Sequence, residues 1–440
     1  MTSRERRRVD EHLADVLALV VPSGVVEVPL DVAPGHVLAR DVASRLDAPA
    51  ADVAAMDGFA VRAVDVAHAS PPAPVTLRVV ADVPAGSGDV PRVGPGEAAR
   101  IMTGAPLPPG CDAVVPVEAT SAVRFAPGAG APAHVTLPTA EVRRDHVRPC
   151  GEDLRRGDVV LTAGTVLAAR HVSVAASAGH GVLPVHRPPR VAVLSTGSEL
   201  VPAGVDPGPG SLPDSNSVLL AAVVRSRGAH VVRRGAVGDT PQALAAALDD
   251  VALSSTWPDG VRAPADLVVT TGGVSAGAFD VVRALLDPAA RAGTPWAGAV
   301  DDDRLVAVGM QPGRPQGLAR WRGVPWLALP GNPVSAFVSS ELFVGPVVDR
   351  LRGVPDPRPA LVTRVAGEGW PSPAGREQLV LVRHAGPDDA RVLLASRATG
   401  GRGSGSHRVS ALAHADAVAV VPADVSAVGP GDAVRVLLLR

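Results

Sequence analysis

The sequence predicts a multidomain protein with a central, mostly parallel α/β domain and β-rich parts on either side. At 440 residues the chain is too long for one hydrophobic core. Between residues 188 and 352, buried-strand runs alternate with helical patterns. Such alternation is typical of a parallel sheet with helices on both faces. Before and after this stretch, short apolar runs between proline and glycine turns favour compact β structure.

The central stretch reads as a doubly wound domain. Its strands are predicted at residues 190–194, 230–237, 266–270, 304–308 and 326–329. Helical patterns separate them, near residues 216–228, from 240 onward, at 280–286 and at 334–349. Asn216 is a good N-cap for the first helix, and Thr240 followed by Pro241 suits the start of the second.

The flanking parts have different patterns. Near the N-terminus, apolar residues fall on one helical face, while Asp10, Glu11 and Asp15 interrupt the stretch. We therefore expect an amphipathic helix rather than an export signal. Short strands are predicted up to about residue 142, a helix near residues 168–178, and a β-barrel or sandwich after about residue 353.

Composition excludes several classes of function. There are 42 basic and 44 acidic residues, for a net charge of −2, so the basic excess of a nucleic-acid binder is absent. The two cysteines, Cys111 and Cys150, lack the spacing of a disulfide framework or a zinc site. No stretch reaches the roughly 18 apolar residues of a membrane span. A cytoplasmic protein is expected.

Candidate functional residues fall where the predicted strands end. Glu199 follows the first strand and Asp239 the second. The third is followed by Thr271-Gly272-Gly273-Val274-Ser275, and the last by Pro330-Gly331-Asn332-Pro333. In open α/β sheets ligands bind at this edge, and glycines there let backbone N–H groups approach an anion. The pattern predicts a cleft for a phosphate-bearing ligand.

Carboxylates beside a phosphate site are informative because they repel the ligand unless they have another task. Glu199, Asp239 and Asp280 suit either Mg²⁺ binding or acceptance of hydrogen bonds from the amino groups of a heterocycle. Simpler interpretations stay open: Asp239 also fits a turn into a helix, and Asp280 also fits a helix cap.

Three further motifs lie in the N-terminal third of the chain. They are Asp57-Gly58, Thr103-Gly104 and Glu152-Asp153. Taken singly, each is what an ordinary turn looks like. They gain meaning only from their order together with the motifs of the central domain.

That ordered set resembles the molybdopterin molybdenumtransferases, the family of MoeA and the gephyrin E-domain, along essentially the whole chain. Each short motif is weak alone, but so many in the family's order are highly specific. The matching stretches are residues 55–60, 100–105, 148–153, 194–200, Ser215-Asn216, Gly238-Asp239, 271–275 with Asp280, 329–335 and 405–407.

The resemblance implies a four-part subunit that works as a homodimer. A discontinuous linker domain (residues 1–26 and 143–187) would carry a β-rich lobe (27–142). The α/β molybdopterin-binding domain (188–352) and a C-terminal β-barrel-like domain (353–440) would follow. The active site is expected where the lobe of one subunit faces the α/β domain of the other.

The family reaction inserts molybdate into adenylylated molybdopterin and releases AMP, with a divalent cation such as Mg²⁺. The resemblance implies that a molybdopterin adenylyltransferase partner supplies the substrate. The catalytic residues it implies are Asp57, Thr103, Asp153, Glu199, Asp239 and Asp280, the last three also as metal ligands. The implied substrate-binding residues are Gly272, Gly273, Ser275, Arg283, Arg314, Pro330, Asn332 and Pro333.

One departure from the family pattern concerns the anion site. The family often has Lys-Pro-Gly-Lys-Pro, where this chain has Gln311-Pro-Gly-Arg314-Pro315. Arg314 keeps a charge and offers a forked geometry to an oxyanion, whereas Gln311 does not keep the charge. Two outcomes are open: anion affinity is lower, or Arg283 and Arg314 compensate. The alternative is a molybdopterin-binding paralogue, a carrier or scaffold with weak or no insertase activity. The sequence does not distinguish molybdate from tungstate.

Overall fold

The computed structural model describes residues 6–88, 90–126, 128, 130–274, 280–387, 389–399 and 408–439. Within these residues the chain builds three successive regions: a β-rich N-terminal part, a six-stranded α/β sheet and a closed C-terminal barrel. No helix in the described part of the chain is both long and apolar enough to cross a membrane.

The N-terminal part begins with an amphipathic helix and continues mainly as short strands. The predicted apolar face of that helix packs inward: Val16 is buried in the core of the α/β region, and Leu13 and Leu17 pack against the same core. The elements are α1 (Val9–Ala18), β1 (Val25–Pro29), β2 (Val42–Ala43), β3 (Val53–Ala54), β4 (Gly58–Val61), α2 (Ala63–Val66), β5 (Val75–Val83), β6 (Glu97–Ile101), β7 (Ala113–Pro116), β8 (His134–Leu137), β9 (Val147–Arg148), β10 (Val159–Leu161), α3 (Ala169–Ser177) and β11 (Val182–His186).

Strand pairing divides this part into two. Strands β7-β4-β6-β5-β8 form one five-stranded sheet, the β lobe. Three two-stranded ribbons, β1-β11, β2-β10 and β3-β9, join segments on either side of the lobe in sequence. The β1–β11 ribbon is antiparallel, with Val25 opposite His186 and Pro29 opposite Val182.

The α/β region is built on one six-stranded sheet, in the order β15-β12-β18-β22-β21-β19. The first four strands are parallel to one another, and the last two pairings, β22–β21 and β21–β19, are antiparallel. The elements are β12 (Arg190–Thr196), β13 (Leu200–Val201), β14 (Leu212–Pro213), α4 (Ser215–Ser226), β15 (His230–Val237), α5 (Pro241–Leu253), β16 (Ser255–Thr256), β17 (Arg262–Ala263), β18 (Leu267–Thr271), α6 (Val281–Leu286), α7 (Pro288–Arg291), β19 (Val300–Ala307), β20 (Met310–Gln311), β21 (Pro315–Trp321), β22 (Val324–Leu329), α8 (Pro333–Ser339) and α9 (Gly345–Leu351).

Helices cover both faces of this sheet. On one face α1, α4, α8 and α9 share a core with alternate strand residues such as Val193 and Val269. On the other face α5 and α6 pack with the neighbouring residues Ala192, Leu194 and Val268. Since side chains alternate across a strand, near-continuous apolar strands are what a two-sided sheet requires.

The C-terminal region closes on itself. Its sheet runs β25-β26-β23-β29-β27, and β27 also pairs with β25, which leaves no free edge in this five-stranded barrel. The elements are β23 (Leu361–Ala366), β24 (Trp370–Pro371), β25 (Glu377–His384), β26 (Arg391–Leu394), β27 (Ala417–Val421), β28 (Ala427–Val428) and β29 (Ala433–Leu438). Strand β20 of the α/β region pairs with β25 and so ties the barrel to the central sheet.

The predicted fold class is confirmed: a mostly parallel α/β domain, a β-rich N-terminal part and a C-terminal barrel. The N-cap predicted at Asn216 is wrong, because helix α4 begins at Ser215 and Asp214 caps it. The Asp214 carboxylate accepts a hydrogen bond from Ser217 N at 3.0 Å. The four domain boundaries stay a prediction.

Candidate active site

A cleft of about 1230 Å³ lies at the carboxyl edge of the central sheet. The loops after β12, β18 and β22 form its floor, because the carboxyl ends of parallel strands meet at one edge. Asp239, after β15, lies at one end, and the segment leading into antiparallel β21 lies at the other. The cleft is therefore where the sequence predicts a ligand.

Close backbone approach requires glycine at position 272, and the loops after β18 and β22 touch at their glycines. Gly272 has φ +93°, and a Cβ there would lie 2.7 Å from the carbonyl oxygen of Thr196. A Cβ on Gly331 would lie 3.4 Å from the Cα of Gly272, so the loops after β18 and β22 are in contact. The two glycine loops form one continuous floor of exposed backbone, which suits a phosphate group.

The three predicted central-domain carboxylates all line the cleft. Asp239 accepts a hydrogen bond from Ser198 N at 2.7 Å, while its own N–H donates to Ser198 Oγ at 3.2 Å. Glu199 is exposed beside it, and Asp280 occupies the position before the first residue of α6. In the described part of the chain, no three His, Cys, Asp or Glu residues stand close enough to hold a metal ion by themselves.

The opposite end of the cleft carries positive charge. Arg314 and Arg376 both line it, together with Gln311. Arg376 comes from the segment leading into barrel strand β25, and its Nε is buried without a hydrogen-bond partner among the described residues. Arg283 lies exposed on α6 and is not among the residues that line the cleft.

The floor is held by a buried polar network. Asp214 is 2% exposed and accepts hydrogen bonds from Ser195 Oγ at 2.8 Å and Ser217 Oγ at 2.5 Å. Asn216, two residues further on, donates from Nδ2 to Gly331 O at 2.6 Å and to Thr271 Oγ1 at 3.2 Å. The start of α4 is thereby fixed against the ends of β12, β18 and β22.

Three more residues that were predicted to bind substrate lie between the end of β22 and the start of α8. Pro330, Asn332 and Pro333 all line the cleft. The carbonyl of Pro330 accepts a hydrogen bond from Thr271 Oγ1 at 3.0 Å. Ser275 lies outside the described residues, as do Gly405, Ser406 and His407 of the last matching motif.

The residues predicted on the lobe and linker are not part of this cleft. Asp57 accepts hydrogen bonds from Thr103 N and Thr103 Oγ1, both at 2.7 Å, so these two form one cluster on the β lobe. Asp153 is exposed on a turn after β9, where its N–H donates to Ala48 O at 3.0 Å. None of the three lines the cleft of its own chain.

Sequence reasoning missed two residues of the site. Arg376 lies 62 positions after Arg314 in a different structural region, and the β20–β25 pairing brings the two segments together. Asp214 sits next to the recognised Ser215-Asn216 pair, and its place before a helix is itself an N-cap signal.

Comparison with known families covers most of the chain. The model described as MoeA N-terminal region (domain I and II) matches residues 7–179. The model of a probable molybdopterin binding domain matches residues 192–350. The MoeA C-terminal region (domain IV) matches residues 363–439.

Individual relatives match at nearly full length. Molybdopterin molybdenumtransferase 2 of Mycobacterium tuberculosis is 39% identical over 430 residues, covering 98% of this chain and 99% of that protein. The Bacillus subtilis molybdopterin molybdenumtransferase is 31% identical over 405 residues, covering 92% and 87%. A crystal structure of a molybdopterin biosynthesis MoeA protein from Pyrococcus horikoshii superposes with a TM-score of 0.80 at 27% identity, over 99% of this chain and 100% of that one. The chain belongs to the MoeA family of molybdopterin molybdenumtransferases.

Proposed function

We propose that this protein inserts molybdate into adenylylated molybdopterin and releases AMP, a late step of molybdenum cofactor synthesis. The observation that carries the proposal is the composition of one cleft. Glycine-loop backbone, carboxylates and two arginines line it together, in a chain related over nearly its full length to molybdopterin molybdenumtransferases. A carrier or scaffold role is not favoured by these relatives.

Arg314 and Arg376 are the groups suited to the oxyanion. Both carry a permanent charge, and a guanidinium binds molybdate or phosphate oxygens through paired hydrogen bonds. The backbone around Gly272 and Gly273 would hold the pyrophosphate of the substrate. Because Gln311 supplies no charge, the two arginines would do the work that lysines share elsewhere in the family.

The carboxylates of the cleft could hold Mg²⁺ only together with oxygen atoms of the substrate. Without a cluster of three ligands among the described residues, the ion would be held by one or two carboxylates together with phosphate oxygens of the substrate, a common arrangement for magnesium. Glu199, Asp239 and Asp280 are the candidate ligands. When bound, Mg²⁺ would supply charge neutralisation at the pyrophosphate.

The protein's own residues would then orient the substrate and hold molybdate beside it. Glycine-loop N–H groups align the pyrophosphate, and Arg314 and Arg376 hold molybdate at the end of the cleft where the dithiolene sulfurs must arrive. Water would attack the phosphoanhydride bond, which frees AMP and leaves a phosphate monoester on the pterin. As the two sulfurs bind molybdenum, one oxo oxygen of molybdate would leave with the two thiol protons as water. Fixing these partners in one geometry is the main source of rate enhancement available here.

We also propose that the working form is a homodimer in which Asp57, Thr103 and Asp153 face the cleft of a second copy. Their absence from the cleft of their own chain supports this. Exposed valines on and beside the β1–β11 ribbon, among them Val25, Val32 and Val182, offer apolar surface for contact. We place the reaction in the cytoplasm, with a molybdopterin adenylyltransferase supplying the substrate.

The proposal is tested by AMP release from adenylylated molybdopterin with Mg²⁺, with and without molybdate. Wild-type protein should release AMP in a molybdate-dependent way. Glu199→Gln and Asp280→Asn should reduce release by at least about a hundredfold while keeping the wild-type circular dichroism and melting temperature. Unchanged turnover in both variants would refute the assignment of these carboxylates.

A further inference from the structure

One end of the cleft is formed by an apolar arm, which we define as β13, β14 and the loop between them (residues 200–213). Asp206 is the single charged residue of this segment. Leu200 pairs with Leu212 in parallel register, and both residues line the cleft with Pro213. Leu212 is 60% exposed in spite of its place in a strand.

The base of the apolar arm is firmly held. Leu212 N donates to Glu199 O at 2.8 Å, and Asp214 N donates to Val201 O at 2.8 Å. Asp214 in turn is buried, and its carboxylate is bonded to Ser195 and Ser217. The apolar face that the arm presents to the cleft is therefore part of a fixed wall.

The two ends of the cleft differ in chemistry. Across the sheet edge the order is β15-β12-β18-β22-β21, with the apolar arm after β12 and Arg314 just before β21. Three inter-strand steps separate them, about 14 Å at the usual strand spacing. A small oxyanion fills one end only, whereas an elongated ligand reaches both.

Carboxylates stand beside the apolar arm. Glu199 directly precedes Leu200, and Asp239 is bonded to the backbone of Ser198. Phosphate is repelled by such a pair, but amino groups on a heterocycle find acceptors there. Isolated exposed leucines are ordinary on protein surfaces. Here two leucines and a proline line a cleft next to hydrogen-bond acceptors. A planar heterocycle with amino groups needs both: an apolar surface for its ring and acceptors for its amino groups.

We propose that the apolar arm is the subsite for an amino-bearing heterocycle of the substrate, with Leu200 and Leu212 against the ring face. Either Glu199 or Asp239 accepts hydrogen bonds from its amino groups, which leaves the other carboxylate and Asp280 for Mg²⁺. The anionic part of the ligand then points toward Arg314 and Arg376. This inference rests on the proposed function, since adenylylated molybdopterin carries such a ring at each end, a pterin and an adenine.

Equilibrium binding of adenylylated molybdopterin, molybdopterin, AMP and molybdate to the full-length protein tests this subsite. Leu212→Ser should weaken binding of adenylylated molybdopterin about tenfold, since part of a leucine contact with the ring is lost. Molybdate affinity should stay within about twofold. Val205→Ser is the matched control, because Val205 is 51% exposed on the same arm but does not line the cleft. Leu212→Phe, which keeps an apolar face, should retain the wild-type affinity within about threefold.

The single-ring ligands identify the occupant. Weakened AMP binding in Leu212→Ser assigns the arm to adenine, and weakened molybdopterin binding assigns it to the pterin. Equal affinity of wild type and Leu212→Ser for adenylylated molybdopterin overturns the inference, as does an equal loss in Val205→Ser. These binding measurements are independent of AMP release. If wild-type protein binds the substrate through Leu212 but releases no AMP, the proposed function is refuted and the subsite is not.

Discussion

Arg314 and Arg283 illustrate how position decides the role of a charge. Both are exposed arginines, and both follow cleft-forming segments in sequence. Arg314 lines the cleft, held next to Gly313, whose carbonyl accepts a hydrogen bond from Gln316 Nε2 at 2.7 Å. Arg283, three residues after Asp280, lies on α6 and does not line the cleft. The compensating cation for Gln311 is better sought in Arg376 than in Arg283.

Alanine variants should separate these arginines. Arg314→Ala should raise the KM for molybdate by about tenfold or more, because a charge-assisted contact to the oxyanion is lost. Arg283→Ala, the matched control, should leave that KM within about twofold. Steady-state AMP release at varied molybdate checks both, and equal effects of the two substitutions would contradict the placement of the anion site.

A second prediction at the residue scale concerns pH. Burial, followed by a hydrogen bond with Asp145, raises the pKa of Glu141 from 4.5 to about 7. Between pH 4.5 and about pH 7 the Glu141 carboxyl group therefore keeps its proton in the folded state and loses it in the unfolded state. Its stabilising contribution is present below pH 4.5 and is lost as the pH rises through 7.

The Glu141→Gln variant removes this titration. Between pH 5 and pH 8 the wild-type protein should lose about 1 kcal/mol more unfolding free energy than the variant, a figure reduced for solvent screening. Urea unfolding of both proteins at the two pH values measures the difference. A gap between them that does not change with pH would show that Glu141 titrates normally.

At the scale of elements, the start of helix α4 links the fold to the site. Asp214→Ala should cost about 2–3 kcal/mol, because it removes the cap of α4 and leaves Ser195 and Ser217 without their acceptor. Thr240→Ala removes only an exposed cap of α5, in which Thr240 Oγ1 accepts from Ala243 N at 3.2 Å, and should cost about 1 kcal/mol. Denaturant unfolding compares the two, and equal losses would rule out a special role for the Asp214 network.

Local signals predicted most of these elements, and long-range contacts decided the rest. The Thr240-Pro241 start of α5 was predictable because N-cap hydroxyl and N1 proline act within one turn. The cap of α4 was misplaced at Asn216 because Asp214 and Asn216 are equally good local N-cap residues. The contact between Asp214 and Ser195, 19 residues earlier, is not visible in the sequence. Arg376 was missed for the same reason: β20 and β25 are distant in sequence. The carboxylates and glycine loops of the cleft could be predicted from the sequence because the carboxyl ends of parallel strands converge on one edge of the sheet.

At the scale of the whole molecule, the separation of Asp57 and Thr103 from the cleft is the feature that most needs a second copy. If the lobe of one subunit completes the cleft of another, two inactive variants should complement each other. An equimolar mixture of Asp57→Ala and Glu199→Ala, unfolded and refolded together, would form mixed dimers in half of the cases. Each mixed dimer would have one intact site of two, giving about a quarter of wild-type activity.

Recovery of AMP release in the mixture, but in neither variant refolded alone, would support a site shared between subunits. No recovery, with dimers demonstrated by sedimentation, would place both residues in the site of a single chain or outside the site altogether. The refolded wild-type protein provides the reference activity for either result.

The most direct test of the central claim is the stoichiometry between AMP released and molybdenum bound to the pterin product in a single turnover of the wild-type protein. An insertase should release one AMP for each molybdenum incorporated and show no release when molybdate is omitted. This result would also establish that arginines suffice without a lysine at position 311. Tight binding of adenylylated molybdopterin with no AMP release, or release that ignores molybdate, would contradict the account.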